Sequence, residues 1–139
     1  MYGIIATWRM ALEGISKADS MLKNHQSAAD SIEEAIKAVE DFEYYKSVGY
    51  GGLPNEEMEV ELDAAFMDGD TLEFGCVGGI KDFANPVSIA RSLVHYDANN
   101  FLVGQGAEKY ASRHGFERKT MLTDRAKIHY HNRIKEITN

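Results

Sequence analysis

The sequence holds a single cysteine, Cys76, and only two prolines. One cysteine excludes an internal disulfide and any zinc site built from several cysteines. No apolar run approaches the roughly 20 residues that a membrane-spanning helix needs. The first residues also lack the basic region and the long apolar stretch of a secretory signal. We therefore expect a protein that works in the cytoplasm and has no membrane partner.

Basic residues are scarce as well, because 15 lysines and arginines stand against 22 acidic residues and leave a net charge of -7. An acidic surface repels nucleic acid, so no nucleic-acid partner is expected. A length of 139 residues suits one domain with a sizeable core. The hydrophobic share of 44% and the charged share of 27% are ordinary for a globular protein.

Hydrophobic periodicity predicts a mixed chain of helices and strands. Residues 3–8 are predicted to form a short buried strand, and apolar residues then recur at helical spacing up to residue 22. A second helix is predicted after a cap at Ser27 or Asp30. The later elements are a glycine-rich loop at 44–55, a hairpin at 59–77 that turns at 68–70, a helix from Pro86, a strand at 100–103, a helix from Gly104 and a polar tail.

The predicted sheet is thin, with about four short strands, which is at the low end for a stable sheet. A partner chain, or a missing second half, is therefore expected to supply the rest of it.

The turn Gly104-Gln105-Gly106 follows a predicted strand and precedes a predicted helix. This arrangement is part of a dinucleotide-binding fingerprint, but Lys109 stands where the third glycine belongs. A non-catalytic nucleotide- or metabolite-binding module that uses this turn is therefore the alternative hypothesis, and a plain strand-to-helix turn is the simpler reading.

Other polar clusters carry weaker signals. His129 and His131 would share a face on a strand, but no third ligand accompanies them, so no metal site is predicted. Glu59, Glu61 and Asp63 alternate on a predicted strand. They form either an acid/base set or, more commonly, the solvated face of that strand, where Asp63 can also be a structural acid.

Trp8 and Ser47 are the two candidate ligand-contacting residues. Trp8 ends the first predicted strand, where a side chain reaches either a cleft or the core. Ser47 stands at the mouth of the glycine-rich loop, where its hydroxyl either binds a ligand or stabilises the turn.

Seven motifs in one order resemble a known family over roughly residues 3–123. The motifs are Gly3-Ile4-Ile5-Ala6-Thr7-Trp8, Ser27-Ala28-Ala29-Asp30-Ser31-Ile32, Ser47-Val48-Gly49-Tyr50-Gly51-Gly52-Leu53-Pro54, Leu62-Asp63-Ala64 with Met67-Asp68-Gly69, Asn85-Pro86-Val87-Ser88-Ile89-Ala90-Arg91, Leu102-Val103-Gly104-Gln105-Gly106-Ala107 and Gly115-Phe116. With these motifs the chain resembles the α-subunit portion of the glycosylasparaginase (N4-(β-N-acetylglucosaminyl)-L-asparaginase) and isoaspartyl peptidase–L-asparaginase family of N-terminal-nucleophile (Ntn) hydrolases.

The resemblance implies an α+β fold, a four-layer αββα sandwich completed by a separate β subunit. Residues 1–123 would be the α-subunit part of that single domain, and residues 124–139 a flexible tail that precedes the site of autoproteolysis. The precursor motif His-Asp-Thr-Ile/Val-Gly is absent from this sequence. No catalytic residue is therefore expected on this chain, and the threonine nucleophile is expected at the N-terminus of the β chain.

The implied activity is hydrolysis of the side-chain amide of asparagine derivatives: glycosylasparagine, L-asparagine or β-aspartyl peptides. No cofactor is implied. The implied partners are a β subunit from the same precursor, in a heterotetramer of two αβ pairs, and a small asparagine-derived substrate. The residues that carry over are Trp8 and Ser47 for substrate binding, with Thr7, Gly49, Gly51 and Gly52 in supporting positions.

Overall fold

A computed structural model describes residues 1–138 of the chain. Residues 1–8 have no regular structure and lead into a 3-10 turn at Arg9–Ala11. The helices and strands that follow are α1 (Leu12–Lys23), α2 (Ala28–Glu40), β1 (Glu61–Met67), β2 (Phe74–Lys81), α3 (Pro86–Ser92), β3 (Phe101–Val103), α4 (Gly104–Arg113) and α5 (Asp124–Thr138).

Helices α1 and α2 form a closely packed pair. Ser27 begins α2 as predicted, because its hydroxyl oxygen accepts a hydrogen bond from the Asp30 amide at 3.0 Å. A Cβ on Gly14 of α1 would lie 2.3 Å from the carbonyl oxygen of Ala35 in α2. The two helix backbones can approach this closely only because position 14 has no side chain.

The sheet has three strands in the order β1-β2-β3. β1 and β2 are the predicted antiparallel hairpin, and their register is irregular between Leu62 and Ala64. β3 pairs with β2 in parallel. Helices α3 and α4 pack on one face of this sheet. Gly75 lets α3 come close, because a Cβ there would lie 2.0 Å from the carbonyl oxygen of Ala90.

The core lies between these helices and the inner face of the sheet. Residues buried there include Leu62, Phe66, Val77, Ile80, Phe83, Ile89, Leu93 and Met121. The opposite face of the sheet is open in the described part of the chain. Its register brings together Met67, Phe74, Phe101 and Val103, all of which are exposed.

Three local predictions differ from the structure. Residues 3–8 do not form a buried strand, and Ile5 is 93% exposed. A strand needs a neighbour to take up its backbone hydrogen bonds, and within residues 1–138 this segment has none. The sheet consequently has three strands instead of about four. The predicted tail from residue 124 is helical up to Thr138, with Ala126 as its buried residue, and the cleavage position assigned to it stays a prediction.

Within residues 1–138, no helix combines the length and the apolar character that crossing a membrane requires.

Candidate functional site

An apolar groove of about 760 Å³ lies between the N-terminal segment and the α1–α2 pair. Thr7 and Trp8 line it from one side, and Val48 contributes from the glycine-rich loop. The other lining residues include Ile4, Met10, Ile15, Leu22, Ile32, Ile36 and Val39. A groove of this size and character can hold a small organic molecule or a segment of another chain.

Trp8 stands in extended conformation immediately before the 3-10 turn, and its carbonyl oxygen accepts a hydrogen bond from the Ala11 amide at 3.0 Å. The residue is 56% exposed, so it is not a core aromatic in this chain. Thr7 beside it is exposed as well. Both residues therefore lie at the groove with exposed side chains, and the roles assigned to them stay predictions.

Ser47 is exposed, and its hydroxyl makes no hydrogen bond to any residue that the structure describes. The turn-stabilising reading of this side chain is therefore wrong. Ser47 itself does not line the groove, but the next residue, Val48, does. On its other side the loop faces the 3-10 turn across a smaller cavity of about 440 Å³, which Tyr45 and Arg9 help to line.

The loop glycines pack against the end of α2. Gly49 has a φ of 60°, and a Cβ there would lie 2.1 Å from the carbonyl oxygen of Glu40. Gly51 has a φ of 77°, and its Cβ would lie 2.6 Å from the carbonyl oxygen of Glu43. Gly52 is less crowded, because a Cβ there would lie 3.1 Å from its nearest neighbour, the carbonyl oxygen of Gly49. The close backbone approach that the sequence predicts is present at Gly49 and Gly51, where only glycine fits without strain.

Glu40, the last residue of α2, is a buried carboxyl that no pattern in the sequence marks. One of its oxygens accepts a hydrogen bond from the Val87 amide at 3.3 Å, and the other accepts one from the Asn85 side chain at 3.4 Å. Burial raises the pKa of Glu40 to about 7, against the opposing effect of these two hydrogen bonds. The negative charges of Asp41 and Glu33 raise this pKa further.

A second set of contacts that the sequence did not reveal fastens the glycine-rich loop to the segment before α5. The Gly51 amide donates to the carbonyl oxygen of Met121 at 2.9 Å. The Lys119 ammonium lies 4.0 Å from the centre of the Tyr50 ring, within cation–π distance.

Within the loop itself, Lys46 donates hydrogen bonds to two backbone carbonyl oxygens. The pKa of Lys46 is lowered, first by burial and then by the positive charge of Arg125.

The alternating carboxylates of the hairpin do not form a common acid/base site. Glu59 pairs with Lys81 at 2.8 Å. Glu61 accepts a hydrogen bond from an asparagine side chain six residues earlier. Asp63 accepts one from the Gly79 amide at 2.8 Å, which makes it a structural acid, although an exposed one. Each of the three carboxylates thus has its own local partner.

The two histidines of the tail lie on α5 and not on a strand. Residues two apart on a helix point about 200° apart, so His129 and His131 do not share a face. Across residues 1–138 there is no group of three or more His, Cys, Asp or Glu side chains that could hold a metal ion.

The Gly104-Gln105-Gly106 turn opens α4, with Gly104 at a φ of 47°. A Cβ at either glycine would meet no atom within 4 Å. These glycines therefore do not make room for a close neighbour within the described chain.

Comparison with known proteins gives a consistent result over nearly the whole chain. A family model described as asparaginase matches residues 5–138. N(4)-(β-N-acetylglucosaminyl)-L-asparaginase of Elizabethkingia miricola is 34% identical over 120 residues, which cover 86% of this chain and 35% of that protein. Isoaspartyl peptidase/L-asparaginase of Rattus norvegicus is 36% identical over 124 residues, or 84% of this chain and 37% of that protein.

A third relative is the plant-type L-asparaginase of Thermococcus kodakarensis, which is 36% identical over 121 residues, or 87% of this chain and 35% of that protein. The chain thus spans about a third of the length of the curated relatives it matches. None of these proteins is named for nucleotide binding, so the alternative hypothesis finds no support among them. Because the family model takes in all but a few terminal residues, the chain belongs to the asparaginase family.

Proposed function

We propose that this chain is the α-subunit part of an autoprocessed amidohydrolase that cleaves the side-chain amide of asparagine derivatives. The substrate classes are those in the names of its relatives: glycosylated asparagine, L-asparagine and isoaspartyl peptides. The nucleophile in this proposal is the N-terminal threonine of a β subunit that comes from the same precursor. The small substrate would bind where the two subunits meet.

The observation that carries the proposal is the pair of uncovered apolar surfaces. One is the groove beside α1 and α2, where Trp8 is exposed. The other is the open face of the sheet, where Phe74 and Phe101 are 43% and 55% exposed and Val103 is 61% exposed. Apolar surface of this extent is normally covered by another layer of structure.

A second sheet from the β subunit would cover the open face and so complete the four-layer αββα sandwich. Strands from that subunit would also give the 3–8 segment the neighbour that it lacks within residues 1–138. Because the chain spans about a third of its relatives' length, the other two thirds of such a protein are long enough to supply these strands. We further propose that two αβ pairs assemble into a heterotetramer.

In the proposed reaction this chain helps to bind the substrate, and the β subunit supplies the nucleophile. A threonine hydroxyl becomes a nucleophile when its own α-amino group takes the proton, and its oxygen then attacks the side-chain amide carbon of the substrate. The amide C–N bond breaks, the amine leaves with the proton from the α-amino group, and the aspartyl part stays on the threonine as an acyl-enzyme. Water releases aspartate from that intermediate. In this scheme the Trp8 ring forms a wall of the substrate pocket and the Ser47 hydroxyl donates a hydrogen bond to the substrate. Thr7 supports the nucleophile indirectly, and the buried loop glycines let the backbone pack beside it.

The test uses the full coding sequence, expressed as one precursor. Intact-mass analysis should find two chains, and the purified assembly should release aspartate from L-asparagine, a β-aspartyl dipeptide or glycosylasparagine. Replacing the predicted nucleophilic threonine by alanine is the control and should abolish both cleavage and turnover. A lone 15.5 kDa chain that is fully active without a partner would contradict the proposal.

A further inference from the structure

Lys46 immediately precedes Ser47 and ties the two ends of the glycine-rich turn together. Its ammonium group donates to the carbonyl oxygen of Glu43 at 3.0 Å and to that of Gly51 at 3.3 Å. Its own carbonyl oxygen accepts a hydrogen bond from the Leu53 amide at 2.9 Å. Lys46 therefore contacts the backbone on both sides of Ser47, at Glu43 before it and at Gly51 within the glycine-rich loop.

The contacts of Lys46 are unusual for a lysine of this protein. Five other lysines of residues 1–138, among them Lys17 and Lys81, place their ammonium groups against a carboxylate. The Lys46 ammonium is half-buried and, within residues 1–138, bonds to backbone oxygens only. A charged donor strengthens such hydrogen bonds, so the group is well suited to hold backbone in place.

The turn needs such a restraint because glycine-rich backbone has many accessible conformations. Gly49, Gly51 and Gly52 lie within four residues of one another. Each ordered glycine loses more conformational freedom than any other residue, so the turn stays in one conformation only where outside contacts hold it. Ser47 has no side-chain partner of its own in the described structure, and its position therefore depends on the backbone on either side of it.

We propose that Lys46 is a positioning residue, which fixes the Ser47 hydroxyl beside the groove by bridging the carbonyl oxygens of Glu43 and Gly51. The inference rests on the proposed function, because it assigns Lys46 to the substrate-binding side of that same site. Lys46 acts through Ser47 and not through contact with the substrate. Loss of the bridge should therefore weaken substrate binding while the reaction of bound substrate continues.

The kinetic test is a double-mutant cycle in the assembled, processed protein. Lys46→Met keeps the length of the side chain but removes its donors, and it should raise KM about fivefold while kcat changes by less than about twofold. In a Ser47→Ala background the same change should have almost no further effect on KM, since the two residues act as one unit. Lys46→Arg keeps charged donors and should restore most of the affinity.

Lys109→Met is the matched control, because Lys109 lies on α4 and bonds to no residue of the loop. If Lys46→Met does not assemble, Lys46→Gln replaces it, since its side chain is one bond shorter and its amide carries no charge. A KM effect of Lys46→Met that persists at full size without the Ser47 hydroxyl would mean direct contact with the substrate and would overturn the positioning role.

A second measurement does not depend on activity. Amide hydrogen exchange at Gly52 and Leu53 should become about tenfold faster in Lys46→Met and stay unchanged in Lys109→Met, because both amides bond within the turn. Unchanged exchange overturns the bridge itself. An assembly without amidase activity overturns the proposed function, and with it the role of Lys46 in substrate binding, even where exchange becomes faster.

Discussion

The buried carboxyl of Glu40 makes stability depend on pH in a direction opposite to that of most acidic residues. Glu40 is 6% exposed, and its two hydrogen bonds at 3.3 and 3.4 Å are long. They do not compensate fully for removing the charge from water, which is why the pKa rises from 4.5 to about 7. The perturbation that tests this account is Glu40→Gln, which keeps the shape and removes the charge.

The size of the effect follows from the shift in proton affinity. A carboxyl whose pKa is higher in the folded than in the unfolded protein binds its proton more tightly when folded. Its stabilising contribution is present in full below pH 4.5 and is lost as the pH rises through about 7. At about 1.4 kcal/mol for each tenfold change in proton affinity, the total is about 3 kcal/mol. Most of this loss should fall between about pH 5 and pH 8.

The assay is urea unfolding of the assembled protein at several pH values across that window, followed by circular dichroism. All other titratable groups are the same in the two proteins, so their contributions cancel in the difference. The free energy of unfolding should fall more steeply with pH in the wild type than in Glu40→Gln. Glu57→Gln, at an exposed position, is the control and should follow the wild type. Equal slopes for wild type and Glu40→Gln would refute the reasoning.

Substitutions of two glycines by alanine should act in opposite directions. Gly75→Ala should lower the free energy of unfolding by about 2 kcal/mol or more, because the new Cβ would lie 2.0 Å from the carbonyl oxygen of Ala90. Gly106→Ala, in open space on α4, should raise the free energy of unfolding by about 0.5–1 kcal/mol, because alanine favours a helix more than glycine does. Equal melting temperatures for the two variants would contradict this pair of predictions. Trp8→Ala should raise KM for aspartyl substrates with little change in melting temperature, since the residue is 56% exposed, and unchanged kinetics would count against a role in the pocket. Ser47→Ala should reduce activity with near-normal self-cleavage, whereas a precursor that stays uncut would assign the residue to precursor folding.

The parts of the fold that the sequence predicts well are those decided by neighbours in the chain. The cap of α2 forms between Ser27 and Asp30, three residues apart. The hairpin turn is closed by Asp68, whose side chain accepts a hydrogen bond from the Asp70 amide at 2.8 Å. Contacts between residues two or three apart depend only on the local sequence, so sequence patterns predict them.

The elements that were predicted wrongly depend on partners that local pattern does not contain. The apolar run at 3–8 has the composition of a strand, but a strand exists only where another strand pairs with it. The final helix α5 buries little of its surface, so apolar periodicity gave no signal for it.

Some residues of the candidate site can likewise be predicted from the sequence, and others cannot. Motifs that resemble a family point to Trp8 and Ser47, and both side chains are exposed. Trp8 lines the groove, whereas Ser47 only precedes the lining residue Val48. Glu40 was missed because its partners, Asn85 and Val87, follow it by 45 and 47 residues. Lys46 was missed because it bonds to carbonyl oxygens, which every residue carries and no sequence pattern marks.

The open outer face of the sheet has a consequence for handling this polypeptide. Its β3 edge offers unpaired backbone groups beside exposed Phe101 and Val103, and such an edge adheres to similar edges of other molecules. Molecules of the isolated polypeptide should therefore aggregate through these edges as their concentration rises. Co-production with the proposed β subunit should keep the sample dispersed where refolding of the isolated polypeptide does not.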